Sequence, residues 1–287
     1  MSAHEFDVGP VAEPFLTIAA DYPGIEVYPA QDFRVEWGPI FHRGRLDGSA
    51  RILIIGQDPG QHESIAHRCL VGEAGQRVQG FLAKLGITRS YVIVNAFLYS
   101  VFGQHAGERH VEDQDIAAYR ERWLNELLGA SQITVVVSFG HIGAAAYRRW
   151  ASKHPDRAGE LIFEALTHPT MPEAASKGDP AQRAAAMKTL LTQWNLALAR
   201  VHDQLGERDV QRPLVLYGED ITPAERSAIP SADLPLGAPA WWSSLKPWAS
   251  REGSDINDKR ATVVVRVPEG ERPWQTTPAP PQPTSDT

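Results

Sequence analysis

The chain has 287 residues, 43% of them hydrophobic and 22% charged, with a net charge of −7. That length admits one large domain or two small ones, the apolar share supports a substantial core, and no apolar run of about 18 residues marks a membrane span. The acidic balance argues against a general nucleic-acid binder, which is usually basic, yet a local basic cleft can sit on an acidic surface. Met1 to Phe15 has no basic stretch followed by an apolar one, so no secretory signal is expected. Cys69 is the single cysteine. It excludes an internal disulfide and a cluster held by several thiolates, and a cytoplasmic, reducing compartment is the expectation.

In chain order, Arg51–Ile55 reads as a buried strand and Gln76–Leu85 as a helix with Val78, Phe81, Leu82 and Leu85 on one face, stopped by Gly86. Tyr91–Asn95 is a second strand, Asp113–Leu128 a helix, Ile133–Val137 a third strand and Ile142–Trp150 a helix. Leu161–Leu166 is a fourth strand, and Pro180–Val201 a long helix with Met187, Leu190, Leu191, Trp194 and Leu198 along one side. Strands alternating with helices predict an α/β fold: a three-layer α/β/α sandwich around a central four-stranded parallel sheet. After about residue 203 proline becomes frequent and Trp241, Trp242 and Trp248 stand among turns. Residues 1–203 are read as the main domain and 204–287 as a C-terminal extension. The tryptophans of that extension are expected to pack on the core. Ala261–Val267 is a possible late strand, and the last fifteen or so residues, from Pro273, have a disordered composition.

Three strands end in a polar group: Gly56-Gln57-Asp58-Pro59-Gly60 after the first, Asn95 at the end of the second, and Thr167-His168-Pro169-Thr170 after the fourth. In open α/β sheets ligands bind at the carboxyl ends of the strands. Asp58, Asn95 and His168 are therefore expected in one cleft, where a carboxylate, an amide and an imidazole can orient water, read a base edge and stabilise a leaving anion.

These segments resemble the uracil-DNA glycosylase superfamily. Its first motif reads G-Q-D-P-Y-H in the classical branch and G-E-A-P-G in the iron–sulfur branch, and its last reads H-P-S. The stretch Leu70-Val71-Gly72-Glu73-Ala74-Gly75 resembles the F-V-G-x-A-G of the iron–sulfur branch. The order and spacing match from about residue 50 to 200. The resemblance implies that Asp58 stabilises the sugar cation and positions water, and that His168 stabilises charge on the departing base. It implies that Asn95 selects uracil through its paired donor and acceptor. Gln57 and Gly60 belong to the first motif, with Gln57 acting through backbone and position. Thr170 keeps the hydroxyl of the family's serine for a phosphate.

The departures are specific. Gly60 replaces the tyrosine that blocks the thymine methyl, so exclusion of thymine must come from elsewhere or be looser. Leu70 replaces the stacking phenylalanine, leaving Phe97, Phe102 and Phe139 as replacements. The cluster cysteines are absent, so no metal and no cofactor are expected. Met171 and Pro172 are possible apolar wedges for the emptied stack, and Lys177 and Arg183 possible phosphate contacts. One branch traps the sugar covalently through a histidine near the loop that here holds His105, Arg109 and His110, but its K-R-R-I-H insertion has no counterpart. Nor does the His105–His110 spacing by itself make a metal site. The expectation is a monomeric, monofunctional uracil-DNA glycosylase acting on uracil-containing DNA. The alternatives are a broader mismatch or deaminated-base glycosylase, a uracil-DNA-binding protein with little turnover, or an unrelated doubly wound nucleotide binder. The last lacks a G-x-G-x-x-G or P-loop to support it.

Overall fold

Alternate residues of the central strands point into two separate cores, and that alternation organises the chain. The computed structural model describes residues 5–129 and 132–271; the disorder expected from Pro273 onward lies outside the described residues. In chain order the elements are α1 (Phe15–Ala20), β1 (Arg43–Gly44), β2 (Ile52–Gly56), α2 (Gln61–Ala66), α3 (Glu73–Lys84), β3 (Tyr91–Asn95), α4 (Gln104–Arg109) and α5 (Gln114–Gly129). They continue with β4 (Val135–Phe139), α6 (His141–Lys153), α7 (Pro155–Gly159), β5 (Ile162–Leu166), α8 (Met171–Ser176) and α9 (Pro180–Gln204). Past α9 come three short 3₁₀ turns, β6 (Ala249–Ser250), α10 (Ile256–Ala261) and β7 (Val264–Val265).

Leu53, Ile55, Val92, Val94 and Val136 pack against Phe15, Tyr119, Trp123, Leu124, Ile142 and Trp150. Their neighbours Ile52, Ile54, Ile93, Val135 and Val137 pack against Val78, Phe81, Leu82, Met187, Leu190 and Trp194. Helices α1, α5 and α6 thus cover one face and α3 and α9 the other, as a period-two pattern buried on both sides requires.

The sheet differs from the expectation. It has five strands in the order β1-β3-β2-β4-β5. Strands β2 to β5 are mutually parallel, while β1 pairs antiparallel with β3, so the sheet is mixed. The missed strand is only Arg43–Gly44, a charged residue and a glycine, too short and too polar to show a period. In the C-terminal part, the expected strand Ala261–Val267 is mostly replaced by the end of α10 and a two-residue β7.

Successive connections leave β2 toward β3 and β4 toward β5. The adjacent ends of β2 and β4 form the crevice where such a sheet takes ligands.

Candidate active site

Asp58 follows β2, Asn95 ends β3 and His168 follows β5, all on the same edge of the sheet. From Asn95 to His168 is three interstrand steps, about 14 Å, so a ligand the size of a nucleotide can reach both.

Asn95 ends β3 in register with Gly56. It is fully buried, and neither its amide nitrogen nor its amide oxygen has a hydrogen-bond partner among the described residues. The amide lies against the Cα of Gly56, where any Cβ would overlap Oδ1, with Leu70 beside it. That close approach requires glycine at the last position of β2.

The loop after β2 is held from two sides. The N–H groups of Ala96 and Phe97 donate to the carbonyls of Gly56 (3.0 Å) and Gln57 (2.9 Å), which continues the β2–β3 pairing past the strand ends. The Gln57 side chain crosses over Gly140 at the end of β4. Asp58 accepts the Val101 N–H at Oδ2, 3.3 Å away. Burial pushes its carboxyl up to about 6, against the milder pull of the Val101 N–H and the Arg251 guanidinium.

Gly60 starts α2, and its N–H donates to Glu63 Oε2 at 3.0 Å. The other Glu63 oxygen accepts the N–H groups of Val71 (2.8 Å) and Gly72 (3.1 Å). One buried carboxylate therefore ties the first motif to the loop that carries Leu70. A Cβ at residue 60 would stand 2.8 Å from Glu63 Oε2, so any larger residue here requires the Glu63 side chain to shift. Leu70 is buried and holds a left-handed backbone, φ 51°.

His168 Nδ1 accepts the Thr170 N–H (3.4 Å) and lies 3.2 Å from Thr170 Oγ1. Its proton is thereby assigned to Nε2, which is left to donate. Burial, helped by the nearby Arg77 cation, drives the imidazole down to about 4, so it is neutral at physiological pH. Arg77 of α3 donates to the Pro169 carbonyl (2.6 Å), to Glu73 (2.6 Å) and through both terminal nitrogens to Glu173 (2.9 and 3.0 Å). It fixes the last motif against α3 and α8. Thr170 directly precedes α8, and Met171 opens it partly exposed.

Several expected contacts are placed elsewhere. Pro172 is buried, which leaves Met171 as the exposed member of the pair. Arg183 is held by Glu173 (3.2 Å) and Asp220 (3.0 Å) rather than standing free for a phosphate, whereas Lys177 is exposed. Phe97 and Phe139 are in the two cores, while Phe102 is partly exposed with the Arg34 guanidinium 4.2 Å over its ring. His110 sits between Asp32 (3.0 Å) and Asp113 (3.4 Å), and Arg109 pairs with Asp32; the His105 side chain lies outside the described residues.

Glu63, Arg77 and Arg251 were not legible as site residues. Glu63 had a signal, because an acid three residues into a helix after a glycine N-cap is the capping position. Arg77 had half of one, the i,i+4 spacing from Glu73. Arg251 had none.

A family model described as the uracil DNA glycosylase superfamily matches residues 43–191, from the first residue of β1 into α9. Among curated proteins none matches the chain. The family match takes in the whole five-stranded sheet and all three strand-end motifs and covers over half of the chain, so the chain belongs to the uracil DNA glycosylase superfamily, whose members are DNA glycosylases.

Proposed function

We propose that the protein is a monofunctional uracil-DNA glycosylase, which takes uracil out of the stack, hydrolyses its N-glycosidic bond and so starts base-excision repair. The support that weighs most is the Asn95 amide, buried with neither polar atom partnered by a described residue. Leaving such groups unpaired costs about 1–3 kcal/mol each. The cost is offset when a ligand brings a complementary donor and acceptor, and the N3–H and O4 of uracil are such a pair. Cytosine presents the reverse pattern and would leave the amide opposed.

The remaining groups fit the same reaction. As the bond between C1′ and the base nitrogen breaks, its electron pair leaves with uracil. The Asp58 carboxylate faces the sugar cation and orients the water that adds to C1′. The neutral His168 donates from Nε2 to the uracil carbonyl that gathers negative charge. Asp58 works ionised, so kcat/KM should rise with pH through about 6 to a plateau. His168, already neutral there, adds no limb above about pH 5.

The test uses single- and double-stranded oligonucleotides holding one uracil, followed by alkali. Strand scission is expected with the wild type, and a loss of about 10²–10³ in rate with Asp58→Asn or His168→Ala. Undiminished scission by both variants overturns the site assignment. Tight binding without scission by the wild type overturns the hydrolase reading in favour of a binding protein. A broader substrate range is favoured by one feature, the glycine at residue 60 where the classical branch has its tyrosine. Release of thymine or hypoxanthine alongside uracil in the same assay decides for it.

A further inference from the structure

The chain beyond the family match returns to the site. At Trp248 and Ala249 the backbone N–H groups both donate to His62 Nε2, at 3.4 and 3.2 Å, and the Trp248 ring stands edge-on to the His62 ring with centroids 4.7 Å apart. His62 lies on α2, directly after the first motif. This anchor and the β6–β7 pairing, Ala249 to Val265 and Ser250 to Val264, hold the strand that leads to Arg251.

Arg251 is turned toward the cleft. Its Nη2 donates to Ser100 Oγ at 3.3 Å, and Ser100 is the neighbour of Val101, whose N–H binds Asp58. The guanidinium also lies 5.5 Å from the centre of the Trp37 ring, the ring that Arg34 covers at 4.3 Å. Its Nε is buried with no partner among the described residues. Two carboxylates lie within its electrostatic reach, Asp58 and Glu63. Glu63 already accepts three backbone N–H groups, whereas Asp58 accepts one.

We infer that Arg251, carried into the cleft by the C-terminal segment, is a positioning residue that serves as counter-cation to Asp58 and completes the catalytic site from outside the family domain. The inference rests on Asp58 being the working carboxylate. The charged groups facing Asp58 are opposed in sign: Glu63 of α2 disfavours its ionised form, and Arg251 and the Val101 N–H favour it. Without Arg251, burial and Glu63 act with less opposition. More of the enzyme then carries a protonated Asp58 near neutral pH, where it can neither face a cation nor orient water.

The test compares the wild type, Arg251→Gln and Arg251→Lys, each as the full chain, by two readouts. The first is the titration of the Asp58 carboxyl carbon in ¹³C-aspartate-labelled protein, its resonance assigned with Asp58→Asn. The second is single-turnover uracil release against pH. In Arg251→Gln the Asp58 midpoint and the acid limb of the rate should both move up by about one pH unit. The rate then falls about threefold at pH 6.5 and hardly at pH 8.5. Arg251→Lys should restore most of both. An unmoved Asp58 titration overturns the inference, as does a rate lowered equally at every pH with a flatter salt dependence, the signature of a lost phosphate contact. A lowered melting temperature with an unmoved titration likewise overturns it, since Arg251 would then be structural only. The carboxyl titration needs no substrate, so it decides the inference even if the wild type releases no uracil, an outcome that would instead overturn the proposed reaction.

Discussion

At the scale of single residues, the proposed reaction asks a carboxyl to ionise where the fold disfavours it. The Asp58 carboxyl is moved by burial from 3.8 up to about 6. A carboxyl raised in this way costs the folded state nothing while it is protonated. The cost grows as pH rises through the interval between the two values and is complete above about 6. Asp58→Asn removes the ionisation. Because Asp58 keeps some contact with solvent, the expected gain in unfolding free energy at pH 7 is about 1–3 kcal/mol, shrinking to a few tenths near pH 4. Urea denaturation of both proteins at the two pH values measures it, and a gain that does not depend on pH would show that ionisation is not its source. Two histidines act with the opposite sign. His42 and His168 are both driven by burial down to about 4, so the unfolded chain takes up their protons first and the fold loses stability as pH drops from about 6.5 toward 4. The strand-end positions of Asp58, Asn95 and His168 could be read from sequence because each closes or follows a strong apolar run. What could not be read is that burial, more than any partner, sets the charge states of Asp58 and His168, since burial depends on chain segments far away.

At the scale of elements, the long apolar runs and helical stripes were legible to within a few residues. Tyr91–Asn95 is a strand with the bounds its sequence implies, and the helix expected over Gln76–Leu85 begins three residues earlier at Glu73. The short elements were not, because β1, α2, α4, α7 and α8 are two to six residues long and show no period. Their conformations are set by tertiary partners, and the most consequential partner is Glu63. It accepts from Gly60, Val71 and Gly72 at once. Glu63→Ala would leave three N–H groups unpaired in a buried loop, for an expected loss of about 2–4 kcal/mol. Glu63→Gln keeps one acceptor oxygen for Val71 and Gly72 but turns an amide N–H₂ toward the Gly60 N–H, for about half that loss. Because the clamp sets the loop that places Leu70 beside Asn95, uracil release should fall by about tenfold or more in Glu63→Ala even at temperatures where the variant stays folded. Thermal denaturation and rate measured on the same samples separate the two effects. A variant that loses stability but keeps its rate would mean that the loop finds its place without the clamp.

At the scale of the whole molecule, the segment past α9 packs against the elements that carry the site. Ile229, Leu234, Trp248 and Ala249 form one buried cluster with Ala66 of α2 and Val71 of the loop before α3. Asp209 accepts the N–H groups of Thr88, Arg89 and Ser90 at 2.7–3.0 Å just before β3. The tryptophans hinted at this packing, but the carboxylates that join the segment to the strands look in sequence like any acidic loop residue. Asp233 is the clearest case. It is fully buried and pairs with Arg43 of β1 at 2.9 Å and Arg45 at 2.5 Å, and it accepts the Tyr91 hydroxyl of β3. Such a network is weak evidence of net stability while intact, but removing its one anion strands buried cations. Asp233→Ala should therefore cost about 3–5 kcal/mol. The exposed pair Arg122–Asp21 is just as short at 2.6 Å, yet Asp21→Ala should change stability by less than about 0.5 kcal/mol, because water already solvates both ions. Denaturation of the two variants side by side compares burial with distance as the source of an ion pair's worth. If Asp233→Ala unfolds as easily as Asp21→Ala and no more so, the C-terminal segment is only resting on the sheet. A loss of the expected size makes the anchoring of that segment to Arg43, Arg45 and Tyr91 part of the stability of the fold.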